Sequence, residues 1–156
     1  MKRSAILVVV IMLVPAAVPF AGMQKGLALG VEVAGHAFGA NASGYVTSTF
    51  HFPHVPLMFA IGVTPFGNSA FTADYWFAQS SNWYLGLGGY FTLTRSFTSA
   101  AGLTAVGASL PMGLQIWPFG QTFEVFLEAA PEAGISFEPR GLDWHLRIGL
   151  GFRFWF

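Results

Sequence analysis

The 156-residue sequence contains no cysteine and very little charge. Without cysteine there is no structural disulfide, no thiolate metal site, no cysteine nucleophile and no lipid-anchored N-terminal cysteine. Only 9% of the residues are charged, whereas ordinary soluble domains carry roughly 25%. The seven basic and seven acidic residues balance, so there is no electrostatic footprint for nucleic acid, and we exclude that class of partner.

Long hydrophobic runs are also missing after the first residues, although 54% of the chain is hydrophobic. Lys2 and Arg3 precede an apolar run at residues 5–14, which Pro15 and small residues follow. This run is shorter than the ~20 residues of a spanning helix, and the pattern is typical of a secretory signal peptide. We therefore predict a signal peptide at residues 1–21, with cleavage after Ala21 or alternatively Ala17, and one domain at residues 22–156.

The rest of the chain shows apolar residues at every second position, most clearly at residues 143–156. Every second residue from Trp144 to Phe156 is apolar, and both Arg147 and Arg153 fall on the opposite parity. Successive side chains of a strand point to opposite faces, so the alternation predicts a strand. Similar runs between turn signals predict eight strands, with a loop at residues 133–142. The predicted strands are residues 27–36, 44–52, 57–64, 70–78, 82–94, 106–116, 122–132 and 143–156.

The predicted fold class is all-β, a closed antiparallel up-and-down transmembrane barrel of about eight strands. Each predicted strand is near the ~9–11 residues that a tilted membrane strand needs. An open sheet with one apolar face would aggregate, whereas closure removes the unpaired edges. Ten strands are the alternative, but 156 − 21 = 135 residues would then leave only about 13 for each strand and its connection.

The charged residues of the predicted strands share one parity, which indicates the face that they occupy. A basic residue facing lipid at the bilayer midplane costs about 2–4 kcal/mol, so we expect the charges to point inward. The interior of an eight-stranded barrel is just wide enough to be filled by side chains, so we expect no open pore. The predicted interior charges are Glu32, Asp74, Glu124, Glu128, Glu132, Arg147 and Arg153.

Antiparallel pairing at the two ends of the chain also brings opposite charges together. A buried charge is costly without a partner, so these contacts should hold the interior together. The predicted contacts are Glu124 with Arg153, Glu132 with His145, and a cluster of Glu32, Glu128 and Arg147.

The chain ends in GFRFWF, which puts Phe152, Phe154 and Phe156 on the apolar parity. Together with the signal peptide and the alternating strands, this ending resembles integral outer-membrane β-barrels, whose last strand typically ends in an aromatic residue read by the barrel-insertion machinery. Three more stretches, FHFPHVPLMFAIG at residues 50–62, TADYWF at 72–77 and FLEAAPEAG at 126–134, resemble a largely uncharacterised family of small spirochaete outer-membrane barrels.

This resemblance covers most of the mature chain, and it implies a location rather than an activity. It implies the outer membrane of a diderm bacterium, with outer-membrane lipid and the barrel-assembly machinery as partners and with Phe152, Phe154 and Phe156 as an assembly signal. It supplies no catalytic residue, no cofactor and no metal ligand, and we predict none. The loops after the first, third, fifth and seventh strands would face outward, and any external ligand that these short loops bind is unknown.

Three hypotheses of function follow, from different classes. The leading one is a non-enzymatic outer-membrane barrel with a structural or surface role. The second is a lipid-modifying barrel enzyme acting on lipid A, because His36 and His145 lie near the predicted outer rim close to Glu132. No His-x-Ser pair stands on a strand, however, and Ser43 and Ser136 are only loosely placed. The third is a secreted, lipocalin-like carrier of an apolar ligand, which the parity of the charges disfavours.

A pair of histidines and a set of aromatic residues give two further predictions. His51 and His54 flank Pro53, but a third metal ligand is missing nearby, so a solvated turn is predicted there. We also predict that four aromatic residues form part of a girdle at a membrane interface. These residues are Trp83, Trp117, Phe119 and Phe123.

Overall fold

A computed structural model of the protein describes residues 26–38, 44–55, 57–64, 67–94, 102–137 and 140–156. Within these ranges every regular element is a β-strand, so the predicted all-β class is confirmed. A search of the same residues for a helix that could span a membrane finds none. The predicted signal peptide lies outside the described residues.

The described chain contains ten strand segments, and nine of them pair in the one sheet that builds the wall. Their frequent β-branched and aromatic residues favour extended backbone. The segments are β1 (Ala28–Phe38), β2 (Gly44–His51), β3 (Leu57–Val63), β4 (Ser69–Gln79), β5 (Trp83–Thr94), β6 (Gly102–Ser109), β7 (Met112–Ile116), β8 (Pro118–Gln121), β9 (Phe123–Phe137) and β10 (Arg140–Trp155).

The segments close into an antiparallel barrel of eight strands. Consecutive strands pair from β1 to β6, and β9 pairs with β10. β10 also pairs with β1, from Trp155 opposite Ala28 to Leu146 opposite Phe38, and this pairing closes the sheet. Both β6 and β7 pair with β5 on one side and β9 on the other, so they are two parts of one barrel strand. The predicted closed eight-stranded barrel is therefore confirmed.

The sixth barrel strand is not the single uninterrupted strand predicted at residues 106–116. It begins earlier than predicted and is broken at Leu110 and Pro111, between β6 and β7. Proline has no amide hydrogen to donate to the ladder, so regular pairing stops there. The Leu110 N–H donates to the carbonyl of Pro131 at 3.0 Å, and the Gly86 N–H donates to that of Pro111 at 2.7 Å. These two bonds keep the wall connected across the break.

The loop predicted at residues 133–142 was wrong. β9 continues to Phe137 and β10 begins at Arg140, and the two strands pair from Ala133 opposite Trp144 to Phe137 opposite Arg140. Small residues at positions 134 and 136 made the alternation hard to see in the sequence. The inward face accepts Gly134, because the backbone of Val106 and Gly107 on β6 lies where a Cβ atom of residue 134 would stand.

The two faces of the barrel differ in chemistry. Inside, Tyr84, Phe126 and Arg153 each expose only 1% of their surface. Gly149 and Gly151 make room for large neighbours, because a Cβ atom at these positions would meet the side chains of Glu32 and Phe126, respectively. The outer face carries exposed aliphatic residues along the described strands. Among them are Leu29, Val33, Val46, Ile61, Leu87, Leu114, Leu127, Ile148 and Leu150.

Candidate functional site

The seven predicted interior charges are all buried, each with 5% or less of its surface exposed. They lie on β1, β4, β9 and β10 and share the inward parity of their strands. The parity that the sequence shows therefore does separate a charged inner face from an apolar outer face. Glu32, Asp74, Glu124, Glu128, Glu132, Arg147 and Arg153 make up this charged interior.

Arg153 and Glu124 form an ion pair at the end of the barrel where β1 begins and β10 ends, here called the terminal end. The two residues are direct partners in the β9–β10 ladder, and Arg153 Nη1 donates to Glu124 Oε1 at 2.6 Å. Trp155 Nε1 donates to the second oxygen, Oε2, at 2.7 Å. The guanidinium carbon also lies 3.5 Å from the centre of the Phe126 ring, a cation–π contact. Both carboxylate oxygens of Glu124 are therefore paired.

Arg147 is shared among four carboxylates further along β10. Its Nη1 lies 2.8 Å from Glu128 Oε1 and 3.4 Å from Glu32 Oε1, and its Nε donates to Glu132 Oε1 at 2.9 Å. Asp74 Oδ2 lies 4.0 Å from Nη2. The predicted contact of Arg147 with Glu32 and Glu128 is thus present, and Glu132 and Asp74 extend the cluster.

Two neutral hydroxyl groups complete this network. Tyr84 donates from its hydroxyl to Glu128 Oε2 at 2.6 Å, and Ser109 donates to Asp74 Oδ1 at 2.6 Å. The inward parity of both donors could be read from the sequence. Their acceptors could not, because each bond joins strands that are not neighbours in the ladder and depends on the curvature of the barrel.

A second cluster, here called the rim cluster, lies around His145 towards the other end of the barrel. The Nε2 atom of His145 lies 2.6 Å from Glu132 Oε2, as the predicted register requires, and its Nδ1 lies 3.5 Å from Asp143 Oδ1. Tyr90 donates from its hydroxyl to Asp143 Oδ2 at 3.1 Å. The ring of His36 packs against that of His145, with 3.9 Å between the ring centres. The rim cluster therefore joins two histidines and two carboxylates.

His36 reaches this cluster from β1, at an irregularity of the ladder. The β1–β10 register shifts between His36 and Phe38, and such bulges re-aim the side chains beside them. The Tyr45 ring meets the His36 ring edge-on at 5.6 Å. One nitrogen of His36, one nitrogen of His145 and one oxygen of Glu132 all lie within 4.8 Å of one another. The sequence placed these three residues near one rim but did not predict this convergence.

Two serines in the described part of the chain, Ser109 and Ser136, donate their hydroxyl hydrogens to groups other than His145. Ser109 donates to Asp74, and Ser136 donates to the carbonyl of Thr104 at 3.4 Å. Neither hydroxyl therefore donates to His145. Ser43 lies outside the described residues.

The solvated turn predicted around His51 and His54 is correct only for His54. His54 is exposed and has a positive φ of 69°. His51 instead ends β2 with 4% of its surface exposed, and its Nδ1 lies 2.8 Å from the carbonyl oxygen of Gly26. The parity of β2 explains the difference, because His51 lies on the same inward face as the buried Thr47 and Thr49.

Aromatic side chains surround the terminal end on its outer face. Trp83 and Phe119 are exposed there, and Phe123 packs against Phe119 with 5.8 Å between ring centres. Trp117 is only partly exposed, because its ring packs near that of Trp155 with 6.2 Å between the ring centres. Its Nε1 donates to the carbonyl of Ser81 at 2.8 Å. Phe152, Phe154 and Phe156 point outward on or beside β10, and their role as an assembly signal stays a prediction.

Comparisons with known proteins add little to this description. No family model matches the sequence, and no curated protein matches it. Among solved structures, the chain is similar to the crystal structure of Neisserial surface protein A, with a TM-score of 0.42 and 12% sequence identity, over 83% of this chain and 96% of that one. The barrel is shown by the strand pairing of the chain itself, which closes between β1 and β10.

Proposed function

We propose that the protein is an integral outer-membrane β-barrel with an interior filled by side chains, and that its role is structural or surface-interacting rather than catalytic. The observation that carries this proposal is the distribution of polarity, with charged residues inside the barrel and apolar residues outside, the reverse of a soluble protein. The seven interior charges are buried, whereas aliphatic residues such as Leu29, Leu127 and Leu150 are exposed on the outer face. An apolar surface of this extent is a liability in water, whereas it matches the hydrocarbon core of a bilayer.

The aromatic residues of the terminal end fit the same placement. Tryptophan and other aromatic residues are enriched where a membrane meets water, since their rings prefer the headgroup region. Trp83 and Phe119 are exposed at this end of the wall, as an interfacial girdle requires.

The location and the partners form the second part of the proposal. We infer export through the signal peptide, insertion by the barrel-assembly machinery and residence in the outer membrane of a diderm bacterium. The support is the resemblance of the C-terminal GFRFWF and of residues 50–62, 72–77 and 126–134 to known outer-membrane barrels, including small spirochaete barrels. No nucleic acid is expected as a partner, since the net charge is zero.

Extraction of membranes tests integration directly. The expressed full-length protein should stay in the membrane pellet after washing with carbonate and with high salt, and only detergent should release it. Release by carbonate or salt alone would refute membrane integration. It would instead favour the third class, a secreted carrier of apolar ligands.

Conductance tests the filled interior. Tyr84, Phe126 and Arg153 fill the interior and are almost completely buried. The refolded protein should therefore add no steady conductance to a planar bilayer. A refolded porin in the same bilayer serves as the positive control. Stable openings would contradict the filled interior and would favour a channel.

A lipid-modifying barrel enzyme is the second candidate, and the rim cluster is the observation that favours it. Asp143 Oδ1 lies 3.5 Å from His145 Nδ1, where a carboxylate can orient a histidine base, and such a base would need its Nε2 released from Glu132. Incubation of the purified protein with labelled lipid A decides the matter. If the wild-type protein removes or adds an acyl chain and the His145→Ala variant does not, the result would support the enzyme. Unchanged lipid A with the wild-type protein would refute it.

A further inference from the structure

We infer that His36, Glu132 and His145 of the rim cluster form a binding site for a divalent transition metal of the zinc class. The inference goes beyond the proposed function, and it holds whether or not the barrel spans a membrane. Without metal, the 2.6 Å contact between His145 and Glu132 is an ordinary hydrogen bond.

The spacing of the donor atoms suits a small metal ion. Zinc binds histidine nitrogen and carboxylate oxygen at about 2.0–2.2 Å in tetrahedral geometry, which places neighbouring ligand atoms roughly 3.3 Å apart. The three donor atoms here lie within 4.8 Å of one another, with 2.6 Å between His145 Nε2 and Glu132 Oε2. Binding therefore needs small side-chain movements and no change in the strands.

The donor types select the class of metal. Two imidazole nitrogens and one carboxylate oxygen suit zinc, copper and nickel, whereas calcium and magnesium take oxygen ligands almost exclusively. The chain has no cysteine, so a softer thiolate site cannot compete for the same ion.

Residues behind the ligands hold them in the orientation that a metal needs. Asp143 lies 3.5 Å from His145 Nδ1, and a carboxylate on the far nitrogen fixes the ring and the tautomer that binds metal through Nε2. Tyr90 in turn donates to Asp143. Arg147 occupies only Oε1 of Glu132, which leaves Oε2 directed at the site. Such outer partners are a normal part of protein metal sites.

The charge of the interior also favours a cation. Among the described residues, five buried carboxylates, those of Glu32, Asp74, Glu124, Glu128 and Glu132, face two buried arginines and the buried His145, which contacts Glu132. Uncompensated buried carboxylates are costly, so the interior attracts positive charge. A divalent ion at Glu132 would offset part of this excess.

The proposed site lies near the mouth of the barrel, and its three protein ligands do not complete a four-coordinate ion. Three protein ligands leave a fourth position of a tetrahedral ion for water or an external donor. Asp143, beside the ligands, exposes 29% of its side chain, so the cluster lies near the mouth of the barrel rather than deep inside it.

Calorimetric titration of the refolded, chelator-treated protein with zinc chloride tests the inference. We expect one zinc ion per chain and at least a 100-fold loss of affinity in both His36→Ala and His145→Ala. Calcium chloride should give no comparable binding. The matched control is His54→Asn, an exposed histidine in a turn, where asparagine tolerates the positive φ and affinity should not change.

Two further readouts separate a metal site from a folding defect. Asp143→Asn should weaken zinc binding about 10- to 100-fold while the barrel keeps its heat-modifiable gel mobility. Cobalt in place of zinc should give the intense visible absorption of a four-coordinate site in the wild type and lose it in His36→Ala. If His145→Ala does not fold, His36→Ala decides, because it leaves the contact between Glu132 and Arg147 in place.

The opposite results would overturn the inference. The inference is wrong if the folded wild-type protein does not bind zinc at millimolar concentration. It is also wrong if His36→Ala does not weaken zinc binding, or if His54→Asn abolishes it.

Discussion

Arg153 and Glu124 face each other across β9 and β10 with 2.6 Å between Nη1 and Oε1, and neither side chain exposes more than 1% of its surface. The pair lies in a pocket with the Phe126 ring on the cation and Trp155 on the carboxylate. Removal of one partner would leave a buried charge without compensation, whereas removal of both would not. The energetic role of the pair is therefore measured best by comparing single and double variants.

Glu124→Ala should destabilise the barrel by roughly 3–5 kcal/mol, because Arg153 then stays buried and unpaired. The Glu124→Ala, Arg153→Met double variant should be less destabilised than this single variant. The free energy of unfolding in phospholipid vesicles, followed by tryptophan fluorescence in urea, measures both. A double variant that is less stable than the single one would show that the pair is not what stabilises this end.

Gly149→Ala should destabilise the protein by about 1–3 kcal/mol, because the added methyl group would collide with the carboxylate of Glu32. The same urea titration measures the loss. Gly141→Ala is the matched control, since nothing lies within 4 Å of its added methyl group, and its effect should stay within about 0.5 kcal/mol. Equal effects of the two substitutions would mean that the interior beside Gly149 is loosely packed.

Leu150→Arg should destabilise the folded state in vesicles by about 2–4 kcal/mol, because it places a charge on the outer face in the middle of β10. Leu142→Arg, near the start of the same strand and 81% exposed, should cost only about 0–1 kcal/mol. Folding free energies in vesicles of both variants give the comparison. If Leu150→Arg costs no more than Leu142→Arg, the outer face does not meet hydrocarbon.

Replacement of Phe152, Phe154 and Phe156 by serine should lower the amount of barrel inserted in cells more than it lowers refolding in detergent. The resemblance implies that the assembly machinery reads these aromatic residues, while detergent refolding needs no machinery. Heat-modifiable mobility of the membrane fraction and of the refolded protein measures the two effects. The matched control replaces three outward aromatic residues away from β10, namely Phe71, Phe77 and Phe91. A similar loss of insertion in both variants would contradict a specific signal.

The alternation of the chain predicted the barrel and its faces well, for a physical reason. The alternation arises whenever one side of a strand meets an apolar medium. The face on which Leu150 or Arg153 lies can therefore be predicted from its own strand, without information on the neighbouring strands. The Glu124–Arg153 and Glu132–His145 pairs followed as well, because the single antiparallel register that places Glu124 opposite Arg153 also places Glu132 opposite His145.

The remaining features depend on the closed shape. At the break between β6 and β7, hydrogen bonds to Gly86 on β5 and Pro131 on β9 keep the wall connected. The residue pattern of one strand cannot predict these bonds, because they involve two other strands. The convergence of His36 with His145 depends on the pairing of β1 with β10. Such contacts appear only when the first and last strands meet.

Cysteine labelling tests the central claim, an apolar wall in contact with lipid, most directly. The chain has no cysteine, so Leu150→Cys and Gly141→Cys each introduce a single reporter. A water-soluble maleimide on both sides of reconstituted vesicles should modify Gly141→Cys rapidly and leave Leu150→Cys unmodified until urea unfolds the protein. Equal, rapid labelling of both variants in folded, vesicle-bound protein would contradict the account.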